Sequence, residues 1–408
     1  MKLNQKLIAS SLALLIANSS SSFAAGYSTE LTSTSGLGNS YAGSVTGIHD
    51  VSDMFFNPAI LTDVENSQFI FSASYIDLNI NTKGASNSNG TSRSANVSDA
   101  GVNGVVPALY AANRINEDAV FGLAITSPFG LGTRYNDSWQ GSDRAIASSI
   151  TTVNINPTLA YKINNQLSVG AGFQAQYYRS QLTNRTASVY YSKVQGSDWG
   201  YGFNLGANYK VNDSLKFGIG YRSKIDHNID GTVQAQGFGY SDMQSKTSTP
   251  ESLTLGTAYK LNPDIELAYD VTWTRWSRLK SLSVNAYQNS ALSTSSSYNW
   301  HDSFLNSVGA NFNLNNKWLL RTGLAYEKEA MTDANRNPSV PMSNKVWTSL
   351  GFNYKFSDTF SVDAAYVHQF YRNAVSKLNA TSNGSASSLN VHYKTRVDVF
   401  SLALKKEF

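Results

Sequence analysis

Chemistry-bearing side chains are present in this chain, but not at spacings that build a reactive centre. The five histidines (His49, His227, His301, His368 and His392) show no metal-ligand spacing. There is no cysteine, which removes thiol nucleophiles, disulfides and cysteine-bound metals together. No Gly-x-Ser-x-Gly elbow occurs. Gly36-Leu37-Gly38 opens like a phosphate loop, yet Tyr41 replaces the third glycine and no strand precedes it. Asp226 and Asp230 read as solvated surface carboxylates. Enzymatic readings therefore fare poorly, and no cofactor or metal is implied. A triad of Ser, His and Asn assembled in space rather than in sequence stays open as the enzymatic alternative.

The elements that must position any site are read from six short turns. They are centred on Asn116-Glu117, Asn164-Asn165, Asn212-Asp213, Asn262-Pro263, Asn315-Asn316 and Ser357-Asp358, at steps of 48, 48, 50, 53 and 42 residues. Asn, Asp and Ser supply Asx-type bonds and tolerate unusual backbone angles, so each marks a tight hairpin. Each step accommodates two long strands and a loop on the far side. Six short turns, with both chain ends on the same side, give fourteen strands.

The flanks of the turns alternate. Leu167, Val169, Ala171, Phe173, Ala175 and Tyr177 share one face, against Ser168, Gly170, Gly172, Gln174, Gln176 and Tyr178. Leu215, Phe217, Ile219 and Tyr221 oppose Lys216, Gly218, Gly220 and Arg222 in the same way. A soluble sandwich also alternates. The long loops, aromatic strand ends and small inward residues favour a lipid-facing barrel. Lys2 and Lys6 precede an apolar run from Leu7 to Ala17, and Ser22-Phe23-Ala24 fits an export cleavage site. Eleven apolar residues are too few to span a bilayer as a helix. Loss of two lysines leaves 30 basic and 28 acidic residues, a net charge of about +2 that argues against nucleic acid.

The expected organisation is a signal peptide over 1–24, an N-terminal segment over 25–66 that lacks strand alternation, and a barrel over 67–408. The outer loops, clearest at Lys83 to Asn103 and Leu378 to Asn390, are rich in Ser and Asn and read as solvated. Pro128 falls inside the third strand just after the alternating Phe121, Leu123 and Ile125. Proline cannot donate to a ladder and Gly130 permits a bend, so Ser127, Pro128, Phe129 and Gly130 mark an expected kink.

The N-terminal segment carries a family resemblance. Ser35-Gly36-Leu37-Gly38, Tyr41-Ala42-Gly43, Asp50-Val51-Ser52-Asp53 and Asn57-Pro58-Ala59 resemble the hatch of FadL-type outer-membrane transporters for long-chain fatty acids and other hydrophobic compounds. The resemblance continues through Val106-Pro107, Ser127 to Thr133, Thr249-Pro250-Glu251-Ser252, Trp273-Thr274-Arg275-Trp276-Ser277 and Arg321-Thr322-Gly323. It implies an all-β fold, a 14-stranded antiparallel transmembrane β-barrel plugged by an N-terminal, partly helical hatch in the Gram-negative outer membrane. It further implies a monomer whose terminal Phe408 is read by the assembly machinery, with outer-membrane lipid around it.

The same resemblance implies passive uptake of a long-chain fatty acid or other hydrophobic small molecule. Phe55, Phe56, Asn57, Pro58, Ala59 and Leu61 are then the hatch and lumen candidates, and the Pro128 kink a lateral gate. Fatty-acid members of the family place a basic residue after the fifth strand and a lysine before the tenth. Here the first position holds Asn184 with Arg185 beside it, and the second falls in Ser295-Ser296-Ser297, which holds no cation. Arg185 is the remaining candidate for a carboxylate. Aromatic hydrocarbons are the alternative cargo, and a general diffusion porin is the competing architecture.

Overall fold

Asparagine makes the turns. Asn164 Oδ1 accepts the backbone N–H groups of Gln166 at 2.9 Å and Leu167 at 2.8 Å. Asn116, Asn212, Asn262 and Asn315 repeat this two-bond clamp on the residues two and three ahead. At the sixth turn Ser357 accepts from Thr359 instead. The computed structural model describes residues 26–88, 93–186, 190–379 and 387–408. The expected signal peptide, its cleavage site and parts of both named outer loops lie outside the described residues.

Around these turns one antiparallel sheet closes on itself. Its first half comprises β1 (Gln68–Asn87), β2 (Gly104–Arg114), β3 (Ala119–Thr126), β4 (Gly130–Arg134), β5 (Ala147–Lys162), β6 (Leu167–Thr186), β7 (Tyr190–Lys210), β8 (Leu215–Arg222) and β9 (Ile225–Ala235). The second comprises β10 (Gly239–Thr249), β11 (Ser252–Asn262), β12 (Ile265–Thr274), β13 (Ser281–Ala286), β14 (Thr294–Ser297), β15 (Ser303–Asn313), β16 (Trp318–Lys328), β17 (Lys345–Ser357), β18 (Phe360–Tyr371), β19 (Ala374–Leu378) and β20 (Leu389–Glu407). Six staves of the wall are interrupted, as β3–β4, β8–β9, β10–β11, β12–β13, β14–β15 and β18–β19, so the wall has the expected fourteen. The ring closes where β1 meets β20, with Gln68 opposite Glu407 and Tyr75 opposite Phe400.

The alternation resolves into two faces. Phe173 is 52% exposed while its neighbour Gln174 is 2% exposed. Outward aromatics such as Phe173 and Tyr201 stack at 5.8 Å, as side chains bathed in lipid do across adjacent strands. Several staves continue beyond the expected loop boundaries. β1 runs to Asn87, and Val97 to Val102 bond back onto β1 and β4.

Most of the segment between residues 26 and 64 is buried against inward-facing residues of the staves. It forms α1 (Thr34–Gly38) and two 3-10 turns, Val51–Phe55 and Pro58–Asp63, capped by Ser33, Asp50 and Asn57. Its bonds reach round the circumference. Thr34 Oγ1 meets Ser401 Oγ at 2.6 Å, Ser40 meets Ser349 at 2.8 Å, and Ser44 Oγ donates to Asp270 at 2.7 Å. Asn57 Nδ2 donates to the Ala207 carbonyl at 3.0 Å, and Thr62 to Ser168 at 2.7 Å. Small inward residues make room for it. A Cβ on Gly206, Gly218 or Gly220 would stand 1.9 Å from Asn57 Oδ1, the Val45 carbonyl or the Phe56 carbonyl respectively. On one side Val51, Met54, Ile60 and Leu61 pack against Ala108, Tyr110, Val120 and Ala124.

Candidate functional site

The third stave breaks where proline forbids a ladder bond. β3 ends at Thr126, β4 starts at Gly130, and the residues between leave the ladder. On the β5 side Thr152 compensates. Its hydroxyl accepts from Phe129 N–H at 3.0 Å and donates to the Phe129 carbonyl at 2.7 Å. Ser127 Oγ donates to the Thr152 carbonyl at 2.6 Å. On the β2 side no such compensation from the wall is found among the described residues. β2 pairs with β3 from Arg114 up to Leu109, opposite Ile125, and β4 pairs with β5. Above the break, Val102 N–H donates to the Gly132 carbonyl at 3.2 Å and Arg134 N–H to the Ala100 carbonyl at 2.9 Å. The edge of β2 from Gly104 to Ala108 thus faces an interval in the wall, bounded below by Leu109–Ile125 and above by residues 100–102.

From inside, the N-terminal segment takes the missing neighbour's place. Thr29 N–H donates to the Pro128 carbonyl at 2.9 Å, Gly130 N–H to the Tyr27 carbonyl at 2.7 Å, and Thr29 Oγ1 to the Ser127 carbonyl at 2.6 Å. Tyr27 then joins an aromatic partition, edge-on to Trp276 at 4.9 Å and to Phe129 at 5.9 Å, with Trp276 edge-on to Trp300 at 5.3 Å.

Two lumenal cavities meet at this partition. The outer one has a volume of about 60 Å³ and is walled by Tyr27, Leu131, Ile150, Tyr178, Met243 and Trp300 among others, with hydroxyl groups but no charged side chain. Its roof includes Ser339 and Val340 of the 329–344 loop. That loop crosses the mouth to the third and fourth staves, where Tyr135 Oη donates to the Pro338 carbonyl at 2.7 Å and Ser148 Oγ to Ser339 Oγ at 2.9 Å. The second cavity, about 60 Å³, lies against Ser28, Phe55, Phe56, Pro128, Phe129, Ile225 and Arg222. Mainly apolar walls carrying a few polar groups suit contact with a hydrophobic ligand.

The expected site residues divide accordingly. Phe55, Phe56, Pro128 and Phe129 come together on the second cavity. Ser127 and Gly130 hold the break by the bonds above. Asn57, Pro58, Ala59 and Leu61 line neither cavity. Asn57 ties the segment together, its Nδ2 on the Val45 carbonyl at 2.6 Å and its Oδ1 capping Ala59 N–H at 3.0 Å. Leu61 is buried in the packing against β2 and β3. Arg185 also lines neither cavity; its Nε donates to the Asp137 carbonyl at 3.1 Å.

Sequence reasoning missed Tyr27, Tyr178, Trp276, Trp300 and Arg222. Trp276 belongs to Trp273-Thr274-Arg275-Trp276-Ser277, and Arg222 is the one arginine on an inward row with Gly218 and Gly220. Tyr27 and Trp300 had no local signal, because they reach the site through interrupted staves and a non-repetitive segment.

A closed fourteen-stave barrel with an apolar outer belt and lumenal cavities defines an outer-membrane transport protein. The chain belongs to the outer membrane protein transport family (OMPP1/FadL/TodX), whose pattern it matches over residues 15–408. It is 26% identical to the long-chain fatty acid transport protein of Escherichia coli (strain CFT073), over 90% of this chain and 92% of that one. The structure of a Pseudomonas aeruginosa FadL homologue superposes with a TM-score of 0.86 at 22% identity, covering 94% of this chain and 100% of that one. The Ralstonia pickettii toluene transporter TbuX gives 0.69 at 20% identity, covering 92% and 98%. The family consists of Gram-negative outer-membrane transporters, not enzymes.

Proposed function

We propose that this chain takes up long-chain fatty acids or kindred hydrophobic molecules passively, binds them in the lumen, and releases them sideways through the interval beside Pro128. The observation that carries this reading is the break itself. Over Gly104–Ala108 β2 is paired with β1 but not with β3 or β4, and Pro128 and Phe129 at the break line a lumenal cavity. Sideways release suits an apolar cargo. Each methylene gains roughly 0.8 kcal/mol on leaving water, so delivery into lipid avoids exposing the chain again. The N-terminal segment fills the lumen beneath the cavities, so a straight path to the periplasm needs its rearrangement while the lateral path needs little more than release of Tyr27–Thr29. The name of the Escherichia coli relative supports a fatty-acid cargo. The charge-free outer cavity and the toluene-transporting fold relative favour a second reading, in which the cargo is a neutral aromatic hydrocarbon. We further infer that Phe408, 74% exposed at the end of β20, is the end presented to the assembly machinery.

The test is uptake of labelled oleate and labelled toluene by cells lacking their own such transporter, with and without this chain. Ala108→Cys with Thr126→Cys, one rung above Leu109–Ile125 in a cysteine-free background, pins the lower margin of the break. Uptake lost on oxidation and restored by a reductant supports lateral release; uptake indifferent to oxidation rules it out.

A further inference from the structure

Arg222 ends β8 with its side chain pointing inward, buried at 8% exposure. Its guanidinium lies over the Phe55 ring, 3.9 Å from the centroid. Nη1 donates to the Phe55 carbonyl at 2.7 Å and to Asn156 Oδ1 at 3.4 Å, and Nη2 donates to Gln174 Oε1. All three acceptors are neutral. Among the described residues no carboxylate lies within ion-pair distance of it. Other buried cations of the lumen differ: Arg321 meets Asp363 at 2.5 Å and Lys345 meets Glu327 at 3.0 Å. A guanidinium stays charged in proteins, and a buried charge without a counter-charge is costly.

The partners that hold Arg222 are themselves fixed. Gln174 Nε2 donates to the Phe203 carbonyl at 2.7 Å, and Asn156 Nδ2 donates to the Phe173 carbonyl at 2.7 Å. Their oxygens are therefore pinned towards Arg222. Of the five guanidinium N–H groups, the Nε–H and one on Nη2 remain without a protein acceptor among the described residues. These sit on adjacent nitrogens, the arrangement that receives a carboxylate through two bonds. The group lies on the wall of the second cavity, with Phe56, Pro128, Phe129 and Ile225 alongside. Glu30, the acidic residue on the same cavity, belongs to the far wall, where Glu327 and Lys345 are its charged neighbours.

We infer that Arg222 binds the carboxylate of the cargo, which makes the cavity beside the break a station for a long-chain carboxylic acid rather than a neutral hydrocarbon. This rests on the transport reading above and narrows it. The hydrocarbon tail lies along Phe129 towards the break, and the head group replaces water on the two open donors. The contact also reaches the N-terminal segment, because the same guanidinium holds the Phe55 ring and carbonyl.

The experiment compares oleate with oleyl alcohol, equal in chain length but lacking the carboxylate, by titration calorimetry on the purified full-length barrel in detergent. Wild type is expected to prefer oleate by about 10- to 100-fold, the range of a charge-assisted pair. Arg222→Gln should bring the ratio near one. Gln174→Glu should do the same by giving Arg222 an internal carboxylate, and because it adds an ion pair its effect does not depend on a weakened fold. A wild-type ratio near one, or a preference that survives Gln174→Glu, overturns the assignment while leaving hydrophobic uptake intact. Binding of neither ligand, together with no uptake by cells, overturns the assignment and the transport reading at once.

Discussion

The backbone N–H of Thr29 is bonded to the carbonyl of Pro128 at 2.9 Å, so the segment Tyr27–Thr29 is joined to the third stave where that stave leaves its ladder. Three bonds, from Thr29 N–H, Thr29 Oγ1 and Gly130 N–H, hold this contact. The ring closes between β1 and β20 without it. Release of Tyr27–Thr29 therefore costs local bonds and aromatic packing, and leaves the closure of the wall untouched. Tyr27 is the larger part of that packing, set among Phe129, Trp276 and Trp300.

Tyr27→Ala separates the two contributions. Removing a buried aromatic costs about 3–5 kcal/mol where the site does not collapse. The cost here falls on the partition between the cavities. The variant should migrate as a folded barrel on unheated gels, yet bind oleate at least about tenfold more weakly. Equal affinity, measured by quenching of tryptophan fluorescence, would show that the partition does not shape the ligand site.

Gly220 and Asn57 test the hold on the N-terminal segment. A methyl group at position 220 would meet the Phe56 carbonyl at 1.9 Å, a distance that only displacement relieves. Asn57→Ala removes two donors from the Val45 and Ala207 carbonyls, at about 1–3 kcal/mol for the buried acceptors left behind. Both variants should keep the barrel and loosen the segment, seen as raised single-channel conductance and faster hydrogen exchange across residues 43–60. Unchanged conductance and exchange in Gly220→Ala would mean the segment tolerates a shift of this size without opening.

The wall was legible in the sequence for a physical reason. Turn chemistry is local, and five of the six turns rest on one asparagine side chain bonding two residues that follow it. Alternation is local too, because lipid and lumen act on successive side chains. Pro128 was legible because the missing N–H is a property of the residue. The cavities were not. They arise where β8 stops at Arg222, where Trp276 falls between β12 and β13, and where Tyr27 returns across the lumen to Gly130. Those positions depend on which staves are neighbours in space, and Arg185 drew attention because it matched a position along the chain.

Lys345 and Glu327 form an ion pair with both side chains 2% exposed, 3.0 Å apart. Its value lies in mutual neutralisation, since each ion alone is expensive inside the barrel. Lys345→Met should destabilise the refolded barrel by about 3–5 kcal/mol in urea unfolding from lipid vesicles. Lys345→Met combined with Glu327→Gln should recover most of that loss. Additive losses in the double variant would show that the two side chains act independently.

Glu329 makes the roof of the outer cavity sensitive to pH. It lies just beyond β16, where its Oε1 accepts Ala330 N–H at 2.7 Å and its own N–H donates to Asn344 Oδ1 at 2.9 Å, at the two ends of the 329–344 loop. Burial, joined by the charge of Glu327 and opposed by the pull of Lys345, pushes its carboxyl up from the ordinary 4.5 to about 7. Below pH 4.5 the carboxyl is protonated whether the loop is closed or open. As pH rises from there towards 7 the open loop gives up its proton first, so the closed roof loses stability across that window, by roughly 3 kcal/mol at full extent. Hydrogen exchange of residues 330–342, corrected for its intrinsic pH dependence, should show stronger protection at pH 5 than at pH 8. In Glu329→Gln the difference should vanish, because no proton is exchanged between the two forms. A wild-type loop equally protected at both pH values would place the charged carboxylate in a closed roof without penalty, and would remove this residue as the cause of any pH-dependent uptake.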